Sequence, residues 1–111
     1  MLSKLLAATL LTHEIPRGSE LSAAHTQTTR PAGRYFFWFF ESRSHPETDP
    51  IFLWLGGGPG DSGIASAVGY NGPCLVNTKG TATATNPYSW TNRANGIWLD
   101  QPVGAGFSSG G

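Results

Sequence analysis

The stretch that most constrains this chain is Ile51–Gly63, Ile-Phe-Leu-Trp-Leu-Gly-Gly-Gly-Pro-Gly-Asp-Ser-Gly. Five apolar residues without a charge predict a buried strand. The run passes without a spacer into a turn of five glycines and a proline. Glycine has no Cβ to hold other groups away from the backbone, and it tolerates φ > 0. Clustered at a strand end, it implies that the main chain itself comes close to something. Loops that offer N–H groups to an oxyanion and loops that cradle phosphate both work this way. A tight connection with no ligand is the third reading.

A chain of 111 residues is the size of one small domain. Its formal net charge is zero and only 13% of residues are charged, so neither nucleic acid nor an anionic membrane is indicated as a partner. No stretch approaches the roughly 18 apolar residues that span a bilayer. Cys74 is the single cysteine and has no internal partner for a disulfide. Met1–Leu11 places one lysine before a short apolar run. It reads equally as a degraded secretory signal or as a short amphipathic helix.

Along the chain, residues 12–33 are polar, contain Pro16, Gly18, Pro31 and Gly33, and carry no apolar period. Together with the leader they are expected to form a weakly ordered segment, 1–33. Tyr35–Phe40 is an unbroken aromatic run, which predicts a strand buried on both faces. Nine residues, Ser42–Pro50, separate it from the strand at 51–55, a spacing that suits an antiparallel pair at a sheet edge. Ile64–Val68 predicts a short helix capped by Asp61 or Ser62. Residues 75–93 read as polar loop, and Gly96–Leu99 as a third strand. Three aromatic-rich strands and one helix do not close a sheet, so residues 34–111 read as the first part of a larger domain. Strands 34–41 and 51–55, left without neighbours, are expected to fold poorly alone and to self-associate.

Three motif matches fail on context. Gly58–Gly63 satisfies G-x-G-x-x-G after a strand, but Pro59 removes an N–H and no acidic residue lies between Ser62 and Leu99 to take ribose hydroxyls. A nucleotide-binding domain is therefore the least favoured function. Gly60-Asp61-Ser62-Gly63 and Ala23-Ala24-His25 match segments of chymotrypsin-like proteases, yet the span between His25 and Ser62 is too short to build two barrels. Gly106-Phe107-Ser108-Ser109-Gly110 fits G-x-S-x-G by letter, but a nucleophile elbow needs a strand before the serine and a helix after it. His13, His25 and His45 all sit in polar segments, where surface histidine is the default reading. No metal site and no cofactor is expected.

Taken together, Tyr35–Ser42, Asp49–Ser62, Asn71–Cys74, Asn86–Trp90 and Leu99–Ser108 resemble, in order and spacing, the serine carboxypeptidases of the α/β-hydrolase fold. The resemblance implies an α/β chain: the N-terminal fragment of that fold, with edge strands, oxyanion loop and next strand, in an incomplete sheet. It implies hydrolysis of C-terminal peptide bonds through a Ser-His-Asp acyl-enzyme mechanism, with a peptide or protein C-terminus as partner and a secreted, vacuolar or lysosomal setting. Gly58 falls where the family's backbone N–H stabilises the oxyanion, with Gly57 as loop support. Trp54 falls near the substrate carboxylate site. Gly56 stands where the family's loop has the asparagine that hydrogen-bonds the peptide's terminal carboxylate, Tyr70 where it has a glutamate that helps hold that asparagine network, and Asp61 where it has a disulfide-forming cysteine. The family's serine, aspartate and histidine lie beyond its Asp-Gln-Pro-Val-Gly block, so this chain is expected to be truncated before the triad and inactive alone. A catalytically dead remnant acting as a binding module is the alternative.

Overall fold

The computed structural model describes residues 21–27 and 33–110; the leader Met1–Leu11 and His13 lie outside them. Two strands, β1 (Leu21–Gln27) and β2 (Arg34–Phe40), pair antiparallel along their full length, from Leu21 opposite Phe40 to Gln27 opposite Arg34. After a turn-rich connection come β3 (Ile51–Leu55), helix α1 (Gly63–Gly69), a small hairpin of β4 (Cys74–Val76) and β5 (Thr83–Thr85), a 3₁₀ turn at Trp90–Asn92, and β6 (Asn95–Leu99). The main sheet has the order β1-β2-β6-β3. β6 runs antiparallel to β2 and parallel to β3.

Three expectations are corrected here. The segment expected to be weakly ordered contains β1, because seven successive residues of β2 offer it a pairing edge that its own polar composition does not announce. The aromatic strand and the glycine-loop strand are not partners: β6 lies between them, so each gains a neighbour that a hairpin would have denied it. The tract at 75–93 is not all loop, since Cys74–Val76 and Thr83–Thr85 form the hairpin.

The aromatic run of β2 divides by the strand period of two. Phe36, Trp38 and Phe40 lie on the face covered by α1, where Phe40, Ile64, Ala67 and Trp98 form the buried cluster and Phe52 and Trp54 pack at its border. The rings meet edge to face: Phe40 on Trp98 at 5.5 Å and 82°, Phe52 on Trp98 at 5.1 Å and 81°, Trp38 on Phe40 at 5.9 Å and 88°. Such pairs add about 0.5–1.5 kcal/mol each beyond the area they bury. Trp98 is fully buried at the centre of this arrangement.

Two polar side chains fasten the loops to the sheet. Asn95 accepts from the Ser42 N–H through Oδ1 at 2.9 Å and donates through Nδ2 to the carbonyls of Pro46 and Asp49. Arg43 donates to the carbonyls of Asn86 and Pro73 and to Asn92 Oδ1, tying the 42–50 connection to the hairpin region. Among the described residues no helix is long and apolar enough to cross a membrane.

Candidate active site

The loop Gly56–Asp61 leaves the C-terminal end of β3 and delivers the chain to α1. Asp61 N–H closes the turn on the Gly57 carbonyl at 3.1 Å. Of the two cap candidates Ser62 is the one used: its backbone is extended, at φ −69° and ψ 125°, and its Oγ accepts from the Ala65 N–H. Gly63 is buried so tightly against β6 that a Cβ there would overlap the Leu99 carbonyl oxygen. The helix therefore starts directly on the end of β6.

Asp100, the residue after β6, holds this junction. It is fully buried. Its Oδ1 accepts from Ser62 Oγ at 2.6 Å and from the Ile64 N–H at 3.1 Å, and its Oδ2 accepts from the Phe107 N–H at 2.9 Å. Its carbonyl accepts from Ser108 Oγ at 2.6 Å, and that oxygen in turn accepts from the Phe36 N–H. One carboxylate thus ties the foot of the glycine loop, the start of α1 and the 104–108 turn to the sheet. Sequence reasoning missed Asp100. The available signal was an acidic residue ending a buried apolar strand ahead of a proline. Ser108, set aside as a nucleophile, has this structural task instead.

Gly58 sits at φ 125°, a conformation that side chains other than glycine's rarely adopt. No acceptor among the described residues takes its N–H. The three atoms nearest to a Cβ at this position all belong to Asp61: Cγ at 3.0 Å, N at 3.2 Å and Oδ2 at 3.2 Å. Gly57 faces open space. Gly56 does not: a Cβ there would lie 2.6 Å from the Asp61 carbonyl oxygen and 3.2 Å from the Gly63 nitrogen. This loop has closed onto the room that a larger residue at 56 would need.

Trp54 and Tyr70, far apart in sequence, do come together. Their ring centroids are 5.9 Å apart, and Trp90 closes on Trp54 at 5.2 Å and 89°. Tyr70 is the C-cap of α1 and largely exposed, whereas its neighbour Asn71 is buried. Asn71 Oδ1 accepts from Trp98 Nε1 at 2.9 Å. Two buried donors beside Tyr70, Trp54 Nε1 and Asn71 Nδ2, have no acceptor among the described residues. Gly56 and Gly58 have Asp61, not Tyr70, as their nearest neighbour.

Elsewhere, Ser44 Oγ lies 2.8 Å from His45 Nδ1, but Asp49 engages His45 through its backbone N–H, so no carboxylate orients the ring. The Ser42 hydroxyl, followed by the His45 N–H, holds the Asp49 carboxyl below the usual carboxylate range. Among the described residues no three His, Cys, Asp or Glu side chains cluster closely enough to hold a metal ion.

A strand feeding a glycine turn, with a helix starting on the neighbouring parallel strand, is an arrangement found in α/β-hydrolases. The comparisons point to the same fold type. The structure is similar to that of Kex1(delta)p, a prohormone-processing carboxypeptidase from Saccharomyces cerevisiae, with a TM-score of 0.68 and 30% identity, over 80% of this chain and 20% of that one. Carboxypeptidase S1 homolog A of Arthroderma otae is 49% identical over 73 residues, 66% of this chain and 11% of that protein. Carboxypeptidase Y of Schizosaccharomyces pombe is 49% identical over 75 residues, 68% of this chain and 8% of that protein. The family profile described as serine carboxypeptidase matches residues 16–110. The chain belongs to the serine carboxypeptidase family, and it spans about a tenth of the length of these two curated relatives.

Proposed function

We propose that this chain is the oxyanion-loop portion of a serine carboxypeptidase domain, an N-terminal piece of the hydrolase sheet. Its task would be to present the Gly58 N–H to the tetrahedral intermediate formed when a C-terminal peptide bond is attacked. The observation that carries this reading is Gly58 itself: positive φ, an N–H with no acceptor among the described residues, and a loop anchored through Ser62 to buried Asp100. Gly57 leaves the approach open, and Trp54 and Tyr70 would border the place where the substrate's terminal carboxylate lies. The peptide C-terminus as substrate partner rests on family membership. By themselves the 111 residues should not turn over peptides, because acyl transfer needs a nucleophile with its base and the described residues offer no such set.

The alternative, a catalytically dead member that binds without cleaving, is favoured by one observation. Asp61 sets a carboxylate oxygen 3.2 Å from where a Cβ at Gly58 would lie, on the residue whose N–H would have to meet the oxyanion's negative charge. The unpartnered donors at Trp54 and Asn71 fit a recognition site in which Tyr70 stands for an acceptor.

One experiment separates the readings. Residues 34–110 replace the matching segment of the Schizosaccharomyces pombe carboxypeptidase Y, and hydrolysis of blocked dipeptides is followed for this hybrid and for the 111-residue chain. The expected result is no turnover from the chain and phosphonate-sensitive turnover from the hybrid. A folded but inactive hybrid would favour the binding module, and phosphonate-sensitive turnover by the chain alone would overturn both readings.

A further inference from the structure

Asp100 is a buried carboxyl group that the proposed chemistry does not itself use. A side chain of this kind gives up its hydration on folding and is tolerated only where hydrogen bonds replace it. The replacements converge on one junction. Ser62 Oγ and the Ile64 N–H, on either side of the first residue of α1, reach Oδ1 at 2.6 Å and 3.1 Å, and the Phe107 N–H reaches Oδ2 at 2.9 Å. Gly106, at φ 52°, brings its turn so close that a Cβ there would overlap the carboxyl oxygens. An ionised carboxyl accepts at both oxygens, as these donors require. An amide serving Ser62 and Ile64 would turn its own donor toward the Phe107 N–H.

The loop that carries Gly58 has little else to hold it. Between Gly56 and Asp61 its hydrogen bond among the described residues is internal, from the Asp61 N–H to the Gly57 carbonyl at 3.1 Å. That bond shapes the turn but does not fix it relative to the sheet. At Gly57 and Gly60 nothing lies within 4 Å of a Cβ position, so packing does not fix the turn there either. The loop is therefore placed by its ends, β3 on one side and Ser62 on the other. Ser62 Oγ accepts from the Ala65 N–H and donates to Asp100, which joins loop, helix and β6 at one atom. We infer that Asp100 is a positioning residue for the oxyanion donor: through Ser62 it fixes the downstream end of the glycine loop, and with it the direction of the Gly58 N–H. The inference rests on the assignment of that N–H to the oxyanion. Misplacing a reacting group by about 1 Å can cost on the order of a hundredfold in rate, so softening one of two anchors should cost about tenfold. The loss belongs to kcat, because the oxyanion exists only as the transition state forms.

The test is a double-mutant cycle in the hybrid enzyme, with urea midpoints to verify folding. Asp100→Asn should lower kcat about tenfold and change KM less than about twofold. On a Gly58→Ala background, where the donor is already misdirected, the same substitution should cost less than about twofold more. Ser62→Ala cuts the link while leaving Asp100 its N–H partners, and should lower kcat about fivefold. Ser62→Thr keeps the hydroxyl and should recover most of that loss. This pair decides the matter if Asp100→Asn fails to fold. Full additivity of Asp100→Asn with Gly58→Ala, a loss seen only in KM, an unchanged kcat in Ser62→Ala, or a Ser62→Thr variant as slow as Ser62→Ala would each overturn the proposal. Those outcomes leave the Gly58 assignment standing, whereas a folded Gly58→Ala hybrid with unaltered kcat removes the assignment and the proposal together.

Discussion

Asp61→Asn in the hybrid enzyme should raise kcat. The Asp61 Oδ2 lies 3.2 Å from the position of a Gly58 Cβ; suppose that an oxyanion held by the Gly58 N–H lies on the order of 5 Å from that carboxylate. At an effective dielectric of about 20–40, two unit charges at that separation repel by about 1.7–3.3 kcal/mol. Asp61 is exposed, so water and salt reduce this to roughly 1 kcal/mol. A single oxyanion donor supplies about 2.7–4 kcal/mol. The carboxylate therefore cancels a good part of the donor without abolishing it. Asparagine keeps the shape and the N–H that closes the turn on Gly57, and removes the charge. The expected gain is roughly fivefold in kcat with KM nearly unchanged, since the repulsion grows only as the transition state forms. Steady-state kinetics at about 0.05 M and 1 M salt provide the check, because screening should raise the parent's kcat more than the variant's and narrow the ratio. An unchanged kcat, or a gain confined to KM, would refute the placement of Asp61 beside the oxyanion.

Gly56→Asn, which the resemblance suggests would restore a carboxylate donor, should instead destabilise the 111-residue chain by about 1–3 kcal/mol, because its Cβ would lie 2.6 Å from the Asp61 carbonyl; an unchanged urea midpoint would count against this loop geometry. Asp100→Ala should cost about 3–5 kcal/mol by leaving Ser62 Oγ and the Ile64 and Phe107 N–H groups without their acceptor, with Asp100→Asn milder, and urea unfolding of the three proteins gives the ranking. The lowered Asp49 pKa means that the folded 42–49 connection binds its proton less readily than the unfolded chain does. Its contribution is present above the ordinary carboxylate range and is lost as pH falls through the depressed value. Hydrogen exchange at Ser44 and His45 should accordingly speed up at acid pH in the parent, but be insensitive to pH after correction for intrinsic rates in Asp49→Asn.

How much of this was legible in the sequence depended on whether residue type or approach distance set the outcome. β3 and its glycine turn were legible because an uncharged apolar run stopping at glycine admits few structures. Helix α1 was legible through Ser62, whose side chain can satisfy a first-turn N–H. β1 was not: Leu-Ser-Ala-Ala-His-Thr-Gln has no strand pattern, and it becomes a strand through the edge that β2 offers. The sheet order was hidden because a nine-residue connection permits a hairpin, while the insertion of β6 follows from a parallel crossover through α1 that no local signal encodes. Within the site, the meeting of Trp54 with Tyr70 was approached only through the family resemblance. Asp100 depends on the Ser62 hydroxyl and the Ile64 N–H, distant in sequence, reaching hydrogen-bond distance, and the closure of the loop over Gly56 depends on the path of the turn through Asp61 and Gly63; both are set by geometry more than by residue type.

The role of Gly58 is tested most directly by Gly58→Ala in the hybrid enzyme. Alanine keeps the N–H, but at φ 125° it strains the backbone, and its Cβ presses on the Asp61 carboxyl at 3.0 Å, so the donor swings off its target. A fall in kcat of roughly a hundredfold, with KM changed less than about twofold and the melting temperature nearly retained, is the expected result. An unaltered kcat in a folded hybrid would contradict the assignment of the Gly58 N–H to the oxyanion.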